Sequence, residues 1–150
     1  MRAKVLDGGN RKENAHMNII LSIHPKWAKL IYEGKKTVEW RKTTPYRLRP
    51  TDNIYLYETS PVKKVTGRIK MYSHAILSIE DVMMREDGYG MNYIESGCVP
   101  IEDLLAYEGK SKALVAWCIG MTKKFNESLD IDALGLKRPP QSWCYTEVEV

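Results

Sequence analysis

Short blocks of alternating or periodic apolar residues follow one another along the chain, and they predict its strands and helices. Strands are predicted where apolar residues alternate with polar ones or run unbroken, over 18–23, 37–41, 53–58, 65–72, 113–119 and 143–150. Helices are predicted where apolar residues recur at third and fourth positions, over 25–33, 79–86 and 100–108. Proline and glycine residues separate the blocks, so 43–52 and the glycine-rich 88–97 are predicted to be loops. The segment 123–136 fits neither period.

The order of these elements predicts an α+β fold. A strand and a helix come first, then strands, then two helices, then strands, which favours a small, mostly antiparallel β-barrel or bent sheet with helices packed at its ends. A chain of 150 residues is long enough for one core and short for two. We therefore expect one domain over 18–150, preceded by a flexible N-terminal extension over 1–17 and with Met1 or Met17 as the natural start.

Charge is distributed unevenly around a net value of +4. Residues 1–70 hold sixteen Lys or Arg against six Asp or Glu, whereas residues 71–110 hold two against eight. The basic half suits RNA phosphates, or the two halves neutralise each other within the fold. Three widely spaced cysteines, no apolar leader and no membrane span indicate a cytoplasmic protein with reduced thiols. No ligand spacing predicts a metal or another cofactor.

The most informative motif is the run G-x-K-x-x-E-x-R over residues 34–41. If 37–41 is a strand, Glu39 and Arg41 share one face with Thr37, and Lys36 in the preceding turn is directed at the same point. Such a cluster suits a polar ligand that is anionic or carries an amide. The alternative is a surface ion pair, which contributes under about 1 kcal/mol.

Four segments in order, 22–28, 34–41, 57–67 and 138–143, resemble the ASCH domain, a member of the PUA-like β-barrel superfamily. The resemblance covers about residues 18–146. It implies a nearly closed barrel with a cleft beside the motif strand, and binding of RNA or of a nucleotide-like small molecule. The residues expected to hold the ligand are Lys36, Glu39, Arg41, Ser60, Arg68, Lys70, Arg138, Gln141, Ser142 and Trp143.

Several of these residues have a second interpretation. Arg68 and Lys70, on the solvent face of the strand 65–72, are expected to follow the phosphates. Ser60 either presents a hydroxyl to the cleft or is only a turn residue before Pro61. Trp143 is suited to stacking on a base or to the core. His24 is a ligand group or a packing residue at the junction of a strand and a helix.

Two other functions stay open. A few small ASCH-like proteins resemble amidohydrolases that use a Lys, a Thr and a Glu on an acylated nucleoside such as N4-acetylcytidine. In that case Lys36 or Glu39 is the catalytic group, but Glu39 stands where those proteins have the Thr. Their Glu has no secure match among Glu58, Glu80 and Glu86. The third possibility is a protein-interaction domain that uses the acidic helices 79–86 and 100–108.

Overall fold

A computed structural model describes residues 17–150, so the predicted extension, apart from Met17, lies outside the described part of the chain. The strands are β1 (Asn18–Ile23), β2 (Val38–Arg41), β3 (Ile54–Glu58), β4 (Lys64–Leu77), β5 (Leu114–Leu129) and β6 (Trp143–Thr146). The helices are α1 (Pro25–Tyr32), α2 (Ile79–Met84), α3 (Met91–Gly97) and α4 (Ile101–Glu108). Short 3₁₀ turns lie over Gly109–Ser111 and Ile131–Leu134.

The six strands form one sheet in the order β2-β5-β4-β3-β1-β6. β1 and β3 run parallel, with Ile19 opposite Ile54, and the other neighbouring pairs are antiparallel. The sheet curls into a half-barrel with the four helices packed against it, which confirms the predicted α+β class and its mostly antiparallel sheet. β2 and β6 are the two edges of the sheet.

The structure differs from the predicted elements mainly in length. β5 continues through residues 120–129, and its part from 123 onwards fits neither period because the strand is mostly exposed there. β4 likewise runs on to Leu77 and pairs with β5 over its whole length. α3 was missed: a glycine at φ 90° precedes it and Gly97 ends it, so the sequence there reads as loop. Buried Ile94 anchors this helix in the core.

Alternation along β2 separates its apolar residues from its charged ones. Val38 and Trp40 pack into a core cluster with residues of α2, α3 and α4. Because side chains of a strand alternate, Glu39 and Arg41 face the other way. A second core cluster holds α1 through Ala28 and Ile31 against the inner face of the curled sheet. The charged half of the motif therefore lies where α1, α4 and the sheet meet.

A hydrogen-bond chain attaches the end of α1 to the sheet. Thr66 Oγ1 donates to Glu58 Oε2 at 2.7 Å, and Tyr32 Oη lies 2.8 Å from Thr66 Oγ1. Since a hydroxyl has one hydrogen, Tyr32 is the donor to Thr66. Gly67 permits this approach, because a Cβ atom at that position would lie 2.5 Å from Tyr32 Oη and in contact with Lys123 O.

Burial raises the pKa of Tyr32 to about 12, with the nearby Glu58 carboxylate adding to the effect. The folded state thus holds a proton that the unfolded chain releases near pH 10. The stabilisation from Tyr32 is complete below pH 10 and is lost as the pH rises to about 12.

We expect the difference between the tyrosinate absorbance titrations of the wild type and Tyr32→Phe to be centred near pH 12. A difference centred near pH 10 would contradict the assignment.

Candidate functional site

Lys36 is the deepest group of the motif. Its side chain leaves the turn between α1 and β2 and is 1% exposed. Nζ donates to Gly97 O at 2.5 Å and lies 3.3 Å from Glu39 Oε1 and 5.1 Å from the Trp27 ring centroid. Burial lowers the pKa of Lys36, and the Glu39 carboxylate offsets part of that effect. Lys36 is therefore the buried ion-pair partner of Glu39.

Glu39 lies between two cations. Lys36 contacts its Oε1 atom, while Arg41 Nε and Nη2 approach Oε2 at 2.8 and 2.7 Å. The carboxylate is 5% exposed. A charge this buried is stable only with partners, and the two cations hold its orientation from opposite sides.

Arg41 links the motif to two other parts of the sheet. Its Nη2 donates to Ser22 O in β1 at 2.9 Å, and its Nη1 donates to Ser142 Oγ at 3.1 Å, directly before β6. Ser22 Oγ in turn donates to Pro140 O at 2.7 Å. Arg41 on the edge strand β2 thereby joins the opposite edge of the half-barrel through side-chain hydrogen bonds.

A cavity of about 510 Å³, which we call the Glu39 cavity, opens directly above this cluster. Aromatic, apolar and charged side chains all contribute to its lining. The lining residues are Ser22, Ile23, His24, Trp27, Glu39, Trp40, Arg41, Thr59, Val99, Asp103, Leu104, Tyr107 and Gln141. This volume and mixture of groups are typical of a small-molecule site.

Among the predicted site residues, Glu39, Arg41 and Gln141 line the Glu39 cavity. Lys36 lies beneath the cavity, and Ser142 is connected to the cavity lining by its hydrogen bond with Arg41. Trp143 packs edge-on against Trp117 and Tyr145, at centroid distances of 6.1 and 5.2 Å, so it is an aromatic packing residue beside the site.

The other predicted residues do not line the cavity. Ser60 and Arg138 are exposed outside it, and Thr59 takes the place expected for Ser60. Arg68 and Lys70 contact the backbone elsewhere: Arg68 Nη1 donates to Val150 O at 3.3 Å, and Lys70 Nζ donates to Thr51 O at 2.7 Å. Neither is part of the motif cluster.

Trp27, Asp103 and Tyr107 are among the lining residues that were not predicted as ligand groups. Trp27 was covered by the predicted helix 25–33, and its ring centroid lies 4.5 Å from Lys26 Nζ at the cavity wall. Asp103 and Tyr107 come from α4, which was predicted only as an acidic helix. Their spacing of four residues placed them on one face, but nothing in the sequence showed that this face meets β2.

Two further findings on the described residues concern metal ligands and membrane-spanning helices. Within 17–150, no three His, Cys, Asp or Glu side chains are grouped so that they would hold a metal ion. Over the same range, no helix has the length and apolar character that crossing a bilayer requires.

The half-barrel and its motif define a PUA-like domain. The family model of the ASCH domain matches residues 21–127. This chain belongs to the ASCH domain family. The resemblance found in the sequence is thereby confirmed.

Solved structures share the fold. The crystal structure of ASCH from Zymomonas mobilis has a TM-score of 0.70 to this chain, with 23% identity, and the match covers 85% of this chain and 86% of that one. The S128A mutant of the same protein gives a TM-score of 0.71 at 22% identity, covering 85% of this chain and 87% of that one.

Curated relatives match in part of their length. An ASCH domain-containing ribonuclease of Zymomonas mobilis is 44% identical over 48 residues, which are 32% of each chain. The large ribosomal subunit protein uL22 of Ureaplasma parvum is 26% identical over 137 residues, or 90% of this chain and 41% of that protein. The match thus spans less than half the length of either relative.

Proposed function

We propose that this protein binds single-stranded RNA or a free nucleotide and holds one nucleobase in the Glu39 cavity. The observation that carries the proposal is the meeting of an aromatic wall, Trp27, with the fixed carboxylate of Glu39 in one cavity of about 510 Å³. Unpaired bases are recognised by stacking on aromatic rings and by hydrogen bonds to their edges.

The site offers both kinds of contact. Trp27 and Tyr107 supply ring surface, and Glu39 accepts hydrogen bonds from amino or imino groups of a base edge. Lys36 and Arg41 keep the Glu39 carboxylate in place before a ligand arrives, which reduces the entropy lost on binding. The name of the partial relative, a ribonuclease, supports RNA as the ligand class.

The geometry favours binding over amide hydrolysis of a nucleoside such as N4-acetylcytidine. Lys36 is covered and does not line the cavity, so it has no direct path to a substrate amide. Thr37 is exposed, and its neighbour Lys36 is directed inwards. A general base has to come within hydrogen-bond reach of the group it deprotonates.

RNA cleavage is a second candidate, favoured by the 48-residue match to the ribonuclease and by His24 at the cavity. In such a reaction a base takes the proton of the ribose 2′-OH, the 2′-oxygen attacks the adjacent phosphorus, and the 5′-oxygen leaves with a proton. The products are a 2′,3′-cyclic phosphate and a 5′-hydroxyl. Histidine is suited to both proton transfers.

The test is a titration of wild-type protein and Trp27→Ala with a fluorescein-labelled single-stranded RNA octamer, read by anisotropy. We expect Trp27→Ala to lose about 1–3 kcal/mol of binding free energy with the loss of base stacking. Wild-type affinity should fall as salt rises, since phosphate contacts release counterions. A denaturing gel of the recovered RNA shows whether the strand has been cut.

Two variants control for packing and for surface aromatics. Trp27 also packs against the main core, so Trp27→Phe, which keeps a ring, should retain most of the binding. Tyr46→Ala removes an 83% exposed ring outside the cavity and should bind like the wild type. Equal affinity of the wild type and a Trp27→Ala variant with an intact melting transition would refute the proposed site.

A further inference from the structure

A second cavity, of about 410 Å³, lies against the opposite face of α1; we call it the Glu58 cavity. Its lining residues are Pro25, Lys29, Tyr32, Glu33, Glu58 and Lys124. Nothing in the proposed function uses these groups. The only acidic residue of this lining that is buried is Glu58, the last residue of β3.

Glu58 is a carboxylate with too few partners for its burial. It is 9% exposed, and within the described part of the chain the one side-chain hydrogen bond it accepts comes from the Thr66 hydroxyl at 2.7 Å. Among residues 17–150, no Lys, Arg or His nitrogen lies within ion-pair distance of it. Buried carboxylates are normally paired with a cation or with several donors. The free hydrogen-bonding capacity of Glu58 therefore suits a ligand.

The surrounding backbone is shaped to hold that carboxylate at the cavity. Register shifts interrupt the β3–β4 ladder at Leu56/Tyr57 and the β4–β5 ladder at Val65/Gly67, on either side of Thr66. Such bulges redirect side chains and are common beside functional sites. Tyr32 and Thr66 then fix one oxygen of Glu58 through the hydrogen-bond chain described above.

Two lysines flank the Glu58 cavity. Lys124 Nζ lies 5.7 Å from the Tyr32 ring centroid, and Lys29 makes only a loose contact of 3.8 Å with Glu33 on the exposed surface of α1. The cavity therefore presents a buried acceptor between two lysine cations. A ligand with an amino group at one end and a phosphate at the other matches this arrangement.

The two cavities adjoin at two places in the chain. His24 lines the Glu39 cavity and Pro25 lines the Glu58 cavity; likewise Thr59 lines the first and Glu58 the second. Consecutive Cα atoms are about 3.8 Å apart, so the linings of the two cavities meet at these two places in the backbone. One strand that passes the α1 N-terminus is therefore able to place successive nucleotides in the two cavities.

We infer that the Glu58 cavity holds the nucleotide next to the one in the Glu39 cavity, with Glu58 accepting a hydrogen bond from an exocyclic amino group and Lys29 and Lys124 meeting the phosphate. This inference rests on the proposed RNA or nucleotide binding. The inference adds a preference for cytosine over uracil. Cytosine carries an exocyclic amino group that donates a hydrogen bond to a carboxylate, whereas uracil has a carbonyl oxygen at the same position.

The experiment compares one nucleotide with two. Calorimetric titrations of wild-type protein with CMP, pCpC, UMP and pUpU give the affinity gained by the second nucleotide. We expect pCpC to bind about tenfold more tightly than CMP, a gain typical of one good base contact, and pUpU to gain much less over UMP. Glu58→Gln should reduce the gain for pCpC to that for pUpU and leave CMP binding unchanged.

The controls separate this inference from the proposed function. Gln still accepts from Thr66, so Glu58→Gln should fold, with a melting temperature no lower than that of the wild type. Glu86→Gln removes the same charge from an exposed position after α2 and should keep the full gain. Suppose that CMP binds and that the gain in affinity from CMP to pCpC is the same in the wild type and in Glu58→Gln. The second site is then refuted and the first stands. If neither CMP nor pCpC binds the wild type, both proposals fail.

Discussion

Replacing Glu39 with glutamine should lower the free energy of unfolding by about 3–5 kcal/mol at neutral pH, because it leaves the buried Lys36 ammonium without an anionic partner. Lys36 is 1% exposed, and in the variant it keeps two uncharged contacts, the hydrogen bond to Gly97 O and the Trp27 ring. Glutamine matches glutamate in size, so the loss of stability measures the missing charge and not a packing cavity. Urea denaturation of the two proteins measures the difference.

The pH dependence of the stability of Glu39→Gln tests whether the unpaired Lys36 charge causes the loss. Burial lowers the pKa of Lys36 in the folded state, and removing the Glu39 charge lowers it further. Between that pKa and the unfolded value of about 10.4, the unfolded chain binds a proton that the folded one lacks, so stability rises with pH. Glu39→Gln should therefore regain stability relative to the wild type as the pH increases.

The control for Glu39→Gln is an exposed glutamate with lysine partners. Glu33 pairs with Lys29 and Lys35 on the surface, and Glu33→Gln should change stability by less than about 1 kcal/mol. The double variant Lys36→Met with Glu39→Gln should recover part of the loss, since no buried charge is then left unpaired. A Glu39→Gln protein as stable as the wild type at neutral pH would overturn this account.

Gly67→Ala should be the most disruptive single-methyl change on the long β4–β5 ladder. The added Cβ atom would contact Lys123 O in the adjacent strand and lie 2.5 Å from Tyr32 Oη. The tyrosine is able to move, but the backbone carbonyl is held in the sheet. We expect a loss of about 1–3 kcal/mol from this overpacking, and weaker attachment of α1.

Gly120 provides the matched control on the partner strand. A Cβ atom there would lie 3.4 Å from Tyr72 Cδ1, an ordinary contact with an exposed ring. Gly120→Ala should therefore leave the midpoint of thermal unfolding nearly unchanged, while Gly67→Ala lowers it. Equal midpoints for the two variants would show that the sheet accommodates a methyl group at position 67.

Local pattern was sufficient to predict much of the fold. The bounds predicted for β1 are those of the structure, because a mainly apolar run of strand length that is closely followed by a proline favours a strand. The strand β2 and its alternation followed from five residues and a preceding glycine. The exposed half of β5 was not predictable in this way, since a strand with solvent on both sides carries no apolar period.

The candidate site was predictable only where its residues are close in sequence. Lys36, Glu39 and Arg41 lie within six positions, so their convergence followed from a turn and a strand. The burial of Lys36 did not, because it depends on Gly97 O, which α3 brings from 61 residues away. Trp27 and Tyr107 line the same cavity although α1 and α4 belong to different core clusters, and no local period encodes that arrangement.

The placement of Arg41 constrains any redesign of this protein. The same guanidinium lines the Glu39 cavity and connects β2 to β1 and to the residue before β6. Exchanging it to alter the proposed ligand preference would therefore also alter how the two edges of the half-barrel are joined. Redesign of the cavity should begin instead at Tyr107 and Gln141, which line it without forming those hydrogen bonds.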